Sequence, residues 1–170
     1  MLDFESILSQ QLGSYAAYLS GNGLASVLVI KGICGSAEQA GNLPFSGADG
    51  EALEKALSAL DWGPNVWRGV LLNPQDEQPL DVANLRLIIE AFDPLTIITT
   101  DEVARLALIQ ACSLEKTNQA HLFVPGGTIS VLGRMLVSVD GFEAALTNPK
   151  AKQVAWMQLK QARFSRQAIK

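Results

Sequence analysis

Four short apolar runs, each bounded by Gly, Pro or Asn, most constrain the fold of this chain. They are Leu24–Ile30, Val66–Leu72, Leu95–Thr99 and Gly133–Val139. Runs of this length without alternation are typical of strands buried on both faces of a parallel sheet. Segments with helical periodicity, such as Gly50–Leu60, lie between them. The pattern predicts an α/β fold, a three-layer α/β/α sandwich around a central, mostly parallel four-stranded sheet.

Helical spacing of apolar residues predicts further helices along the chain. The amphipathic segment Phe4–Leu19 is the first, and Asp81–Phe92 and Glu102–Cys112 follow. Either Thr100 or Asp101 can cap the last of these. A terminal helix is expected over Lys150–Lys170. We expect His121–Val124 to form a short edge strand.

Size and composition favour one globular domain over residues 1–170. The chain has 170 residues, of which 48% are hydrophobic, enough for a full core. No apolar run approaches the roughly 20 residues of a membrane span, so no membrane partner is expected. Met1–Glu5 has neither a basic start nor a cleavable apolar region, and a cytoplasmic location is the expectation.

Charge is distributed unevenly along the sequence. All 17 Asp and Glu lie at or before Glu143, whereas six of the 13 Lys and Arg lie from Lys150 onward. Residues 1–149 therefore carry −10 and residues 150–170 carry +6. An acidic body binds phosphate backbones poorly, so an anionic partner is expected at the basic C-terminal segment.

The segment after the first apolar run has the form of a ligand-binding loop. Lys31–Gly35 contains two glycines, and Leu43-Pro44-Phe45 then leads into the next helix. Ligands of open α/β sheets bind at this end of the strands. The segment resembles the uracil-DNA glycosylase superfamily, in the branch whose first motif reads Gly-Glu-Ala-Pro-Gly. That resemblance implies a glycosylase-like fold from Val29 onward.

The resemblance also implies a base pocket. Its aromatic residue matches Phe45, its amide Asn73 and its last motif glycine Gly35. An aromatic ring stacks a flipped base, and an asparagine amide can hydrogen-bond to the edge of uracil. A core phenylalanine and a turn asparagine before proline are the alternative interpretations of the first two residues.

The proton-handling residues of the glycosylases are absent. Gly32 stands at the acidic position, and Gly141-Phe142-Glu143 stands where the family has His-Pro-Ser. The only histidine, His121, lies in an apolar context that is typical of a structural residue. Glu38 and Glu143 are candidate substitute acids, since two facing loops with one carboxylate each resemble an acid/base pair. Surface glutamates are the alternative.

Cofactors are not expected. The related glycosylases hold an iron–sulfur cluster on four cysteines, whereas this chain has only Cys34 and Cys112 and no Cys-x-x-Cys pair. Two cysteines cannot hold such a cluster, and a cysteine-based metal site lacks ligands.

The terminal helix is a candidate contact surface for DNA or a protein partner. A helical wheel places Lys152, Arg163 and Arg166 on one face with Trp156 and Leu159. The opposite face carries Val154, Met157 and Phe164. We expect one face to pack on the body and the basic, aromatic face to be available to a partner. A solvated basic helix end is the alternative.

A second resemblance is to the psi subunits of the bacterial DNA polymerase III clamp-loader assembly. It is carried by Asn42-Leu43-Pro44, Leu72-Asn73-Pro74 and Ala145–Pro149. Psi subunits share the glycosylase fold, lack its motifs and bind partner proteins. Together the two resemblances imply a non-catalytic adaptor in DNA replication or repair. An active glycosylase with relocated carboxylates and a binder of small pyrimidine ligands are the alternatives.

Overall fold

The central sheet has six strands. The computed structural model describes residues 4–13, 17–21, 26–62 and 66–168, with side chains for 6–13, 17–21, 26–62 and 66–161. Over these residues the strands are β1 (Leu19–Ser20), β2 (Val27–Ile33), β3 (Trp67–Asn73), β4 (Thr96–Thr99), β5 (Thr128–Val131) and β6 (Arg134–Ser138). Their order is β1-β3-β2-β4-β6-β5. The four inner strands are parallel, and β1 and β5 pair antiparallel at the two edges.

Seven α-helices lie in the described part of the chain. They are α1 (Phe4–Leu12), α2 (Ser36–Gln39), α3 (Ala48–Ala59), α4 (Val82–Phe92), α5 (Glu102–Ala111), α6 (Phe142–Ala145) and α7 (Pro149–Ala168). The α4 and α5 helices each begin at an aspartate whose carboxylate accepts a backbone N–H of the first turn. Asp81 accepts from Asn84 and Asp101 accepts from Ala104, so Asp101 is the cap of α5 and Thr100 is not.

Alternate residues of the inner strands face two separate hydrophobic clusters. Leu28 and Ile30 of β2 pack with residues of α1, α4 and α5. Val27 and Val29 of the same strand pack with residues of α3, α6 and α7. This alternation follows from the two-residue period of a strand, and it explains why the inner strands are buried at most positions.

The four predicted strands correspond to β2, β3, β4 and β6, but the prediction of a four-stranded sheet is wrong because both edge strands were missed. The predicted edge strand His121–Val124 is also wrong: Ala120–Leu122 is a 3-10 turn and the edge strand is β5. The predicted helix Phe4–Leu19 ends at Leu12, and Leu19 belongs to β1. A two-residue strand carries too little periodicity to be recognised before its partner is known.

The connections that follow β2 and β4 run to opposite sides of the sheet. The chain leaves β2 through α3 to β3 on one side, and it leaves β4 through α5 towards β6 on the other. Such a switch point opens a crevice at the carboxyl ends of the two strands. Among the described residues, no helix is both long and apolar enough to cross a membrane.

Candidate functional site

A cavity of about 420 Å³ lies at this switch point. Its walls come from the ends of β2 and β4 and from the segment that follows β6. The lining residues are Lys31, Ile33, Cys34, Gly35, Asp49, Thr100, Asp101, Gly141, Phe142, Glu143, Ala144 and Thr147. The volume is in the range of small-molecule sites.

Lys31 is the centre of the site. It is 2% exposed and extends from β2 on the side of α3 and α6, because it continues the alternation that turns Val27 and Val29 that way. Its Nζ lies 3.1 Å from Glu38 Oε1, 2.6 Å from Asp49 Oδ2 and 3.0 Å from Glu143 Oε2. A buried ammonium group requires such partners, since desolvation of an unpaired charge is costly.

Glu38 is held by the backbone as well as by the lysine. Its Oε2 accepts the Gly35 N–H at 2.9 Å, and its Oε1 accepts the Phe45 N–H at 2.9 Å. The residue is 6% exposed. Glu38 therefore joins the start of α2, the chain before α3 and the end of β2 in one buried network.

Asp49 and Glu143 approach Lys31 from two different helices. The Asp49 side chain, in the first turn of α3, is 3% exposed, whereas that of Glu143 in α6 is 42% exposed. The Glu143 carboxylate lies directly over Gly35, where a side chain would collide with it. Glu143 is thus the carboxylate of this cluster that reaches solvent.

Ion pairs and hydrogen bonds oppose the effect of burial on the pKa values of Lys31 and Glu38. Burial by itself would lower the pKa of Lys31, but its hydrogen bonds to Asp49, Glu143 and Glu38 raise this pKa above the ordinary value of 10.5. Burial alone would likewise raise the pKa of Glu38, but the Phe45 N–H and Lys31 outweigh it and lower this pKa. Both groups are charged at neutral pH.

Gly32 has no room for a side chain. A Cβ there would lie 2.6 Å from Asp101 Oδ1 and 2.5 Å from Val103 Cβ. Asp101 Oδ2 accepts the N–H groups of Gly32 and Ile33 at 2.9 and 3.2 Å, while its Oδ1 caps α5. Position 32, where the glycosylase resemblance implies an acidic residue, is therefore closed by the contact between β2 and α5.

Asp101→Ala is expected to destabilise the protein by about 1–3 kcal/mol more than Asp81→Ala does. Both variants remove a helix cap, but only Asp101→Ala also leaves the Gly32 and Ile33 N–H groups without their acceptor. Urea unfolding of the two variants measures the difference. Equal losses would mean that the contact between Asp101 and β2 contributes nothing to stability.

The three residues of the predicted base pocket occupy different places. Gly35 lines the cavity, whereas Phe45 and Asn73 are not among the lining residues. The Phe45 ring is 6% exposed and packs edge-to-face on Trp67, with centroids 5.7 Å apart. Asn73 Nδ2 donates to the Gly32 carbonyl at 2.7 Å. Phe45 thus joins the chain before α3 to β3, and Asn73 joins the end of β3 to β2.

His121 and Cys34 are the other residues considered for a chemical role, and only Cys34 lines the cavity. His121 is exposed on the 3-10 turn and is not among the residues that line the cavity. Cys34 Sγ donates to the Asn73 carbonyl, and burial, followed by the charge of Glu38, raises the pKa of its thiol. Within the described residues, no group of three or more His, Cys, Asp or Glu is arranged to bind a metal ion.

The α7 helix packs on the body through an unexpected face. Leu159 is 1% exposed and Ala155 is 6% exposed, whereas Val154 and Met157 are 53% and 66% exposed. The expectation that the face of Val154 and Met157 packs on the body is therefore wrong. The apolar character of its side chains did not predict the buried face of α7, because this helix is buried only along a narrow stripe that includes Ala155 and Leu159. The side chains of Arg163 and Arg166 lie outside the described residues.

Trp156 and Lys152 border a groove between α3, α6 and α7. Its volume is about 650 Å³, and small or apolar side chains form most of its floor. The floor includes Ala52, Ala56, Phe142, Ala145, Leu146 and Leu159. The α6 helix separates this groove from the cavity, and Phe142 lines both.

Sequence reasoning missed Lys31 and Asp49. Lys31 is the only charge within the apolar strand Val27–Ile33, which is a signal that a buried partner must exist. Nothing local identifies Asp49 as that partner. The two candidate acids, Glu38 and Glu143, are brought together, but on a lysine that neither was predicted to contact.

No protein-family model matches the chain, and no curated protein matches it in sequence. The fold and the geometry around Lys31 are therefore the basis for assigning a function.

Proposed function

We propose that this chain is a non-catalytic binding protein with a uracil-DNA-glycosylase-like α/β/α fold, acting as an adaptor subunit in DNA replication or repair. The observation that carries the proposal is the ion pairing of Lys31 with both candidate acids, Glu38 and Glu143. Its partners would be a protein of the replication or repair machinery, DNA, or both.

Glycoside cleavage needs groups that Glu38 cannot supply here. A general acid must hold a proton near neutral pH, but Glu38 has a lowered pKa and is ionised. A general base must reach water, but both Glu38 oxygens accept hydrogen bonds from backbone N–H groups and Lys31. Gly32 leaves no space for the missing acid, so neither position 32 nor Glu38 supplies it.

Glu143 is the residue that would support the alternative of an active enzyme. Its side chain is 42% exposed beside the cavity, so an active uracil-DNA glycosylase with relocated carboxylates would use this residue to activate water. The cavity volume of about 420 Å³ would also admit a free pyrimidine, which is the third candidate.

An excision assay distinguishes the proposal from the runner-up. We expect no cleavage of single-stranded or duplex oligonucleotides containing one uracil, with wild type and Glu143→Gln indistinguishable from buffer. An authentic uracil-DNA glycosylase on the same substrates is the positive control. Excision by the wild type that Glu143→Gln abolishes would overturn the non-catalytic proposal.

Binding is measured in the same samples. Binding of oligonucleotide without cleavage, weakening as salt is raised, would support an adaptor that contacts DNA. Salt-insensitive binding of free uracil or thymine would instead favour the small-ligand alternative.

A further inference from the structure

We infer that the groove between α3 and α7 is a docking site for an amphipathic helix with acidic flanks, contributed by a partner protein. This inference rests on the proposed adaptor function and names its contact surface. Three features carry it: the apolar floor, a lysine on each wall, and the half-buried Trp156 on the α7 wall.

The floor of the groove is suited to an apolar surface. Ala52 and Ala56 of α3 lie opposite Trp156 and Leu159 of α7, and Leu146 is half-buried at one end. Small side chains on one wall allow a third helix to approach closely, and helix pairs pack at about 8–10 Å between axes. The phosphate backbone of a nucleic-acid duplex would leave this floor uncovered, because phosphates are hydrated anions.

Lysine side chains lie around the rim of the groove, although the protein has a negative net charge. Lys55 of α3 and Lys152 of α7 line opposite walls, and Lys160 Nζ lies 5.1 Å from the centre of the Trp156 ring. Among the described side chains, none forms an ion pair with these three lysines. Glu51 is the one carboxylate among the lining residues.

The charges around the groove indicate which kind of partner helix it would bind. The residues that line the groove include two lysines and one glutamate, and a third lysine, Lys160, lies over the Trp156 ring, whereas the chain as a whole has a net charge of −4. A helix with an apolar stripe and Asp or Glu on both sides of it would cover the floor and pair with lysines on both walls. Trp156, half-buried and aromatic, is the residue type that most often anchors such interfaces.

A display library of helix-forming peptides with randomised surface positions is the probe. Selection on the wild-type protein is expected to enrich amphipathic sequences whose apolar stripe is flanked by Asp and Glu. Enrichment of basic-flanked sequences, or no enrichment, would overturn the inference. An enriched peptide is then labelled and its affinity is measured by fluorescence anisotropy.

Two variants locate the binding. Ala52→Arg fills the groove and is expected to weaken the peptide more than about tenfold. Lys55→Glu combined with Lys152→Glu is expected to weaken it roughly five- to tenfold, with a smaller salt dependence than wild type. Ala83→Arg, an exposed site on α4 across the sheet, is the matched control and should bind as wild type does. Thermal unfolding establishes that each variant is folded.

Nucleic acid or a second copy of the chain in the groove would give different results in these experiments. Loss of oligonucleotide binding in the same groove variants, with no peptide binding, would assign the surface to phosphates. A concentration-dependent dimer that Ala52→Arg abolishes would assign it to a second copy of the chain. Either result overturns the inference. Uracil excision would overturn the proposed function while leaving the peptide result unaffected, so the two can fail separately.

Discussion

Lys31→Met is expected to lower the free energy of unfolding by about 3–5 kcal/mol at neutral pH. The substitution keeps most of the side-chain volume but removes the ammonium group that Glu38, Asp49 and Glu143 share. Two of these carboxylates, those of Glu38 and Asp49, are almost fully buried and would lose their cationic partner. Chemical unfolding in urea measures the loss.

The pH dependence of the same variant has a defined sign. In the wild type, the lowered pKa of Glu38 contributes stability that is lost only as pH falls through its folded value. The raised pKa of Lys31 contributes stability that is present below 10.5 and lost as pH rises through the still higher folded value. These two groups therefore leave stability constant between about pH 5 and about pH 9.

In Lys31→Met the buried Glu38 has no cation, so its folded pKa should rise and its ionisation should contribute less to the free energy of unfolding at neutral pH than in the wild type. Adding Glu38→Gln should recover part of the loss, because one uncompensated charge is removed. Lys150→Met, at an exposed lysine of α7, is the control. A Lys31→Met protein as stable as this control would show that the ion pairs do not hold the site together.

Phe45→Ala is expected to destabilise the protein by about 3–5 kcal/mol. The ring packs among buried residues of α3, contacts Trp67 edge-to-face and lies against Gly69, where any Cβ would collide with it. Lys31 Nζ lies 5.5 Å from the ring centre, so the ring also shields the ion pairs. Thermal and urea unfolding measure the effect.

This experiment separates a core role from the base-stacking role that the glycosylase resemblance implies. A stacking residue would lose ligand affinity while stability remained unchanged. Leu43→Ala, two residues earlier and 57% exposed, is the matched control and should change stability by less than about 0.5 kcal/mol. Phe45→Ala with the stability of Leu43→Ala would contradict the packing described here.

Several elements could be predicted because their signal is local. The inner strands β2 and β3 are mostly apolar, since both of their faces are covered, and each is followed by turn residues. Asp101 is one of the two residues predicted to cap α5. These features require only the spacing of neighbouring residues.

The edge strands could not be predicted in this way. β1 has two residues and exists only through its pairing with β3. β5 pairs with β6 across a two-residue turn in which Leu132 and Gly133 have φ of 51° and 80°. That left-handed geometry suits two-residue hairpins, but leucine rarely adopts it and gives no turn signal.

The sequence by itself determined the α/β class, the parallel inner strands and the placement of a glycine-rich loop at their carboxyl ends, because periodicity and turn residues act over a few positions. Only the tertiary structure decided what the loop does. It brings Glu38, Asp49 and Glu143 from three helices onto Lys31 and closes the space at Gly32 with Asp101. Such pairings join residues far apart in the chain, so their geometry depends on how the helices pack on the sheet.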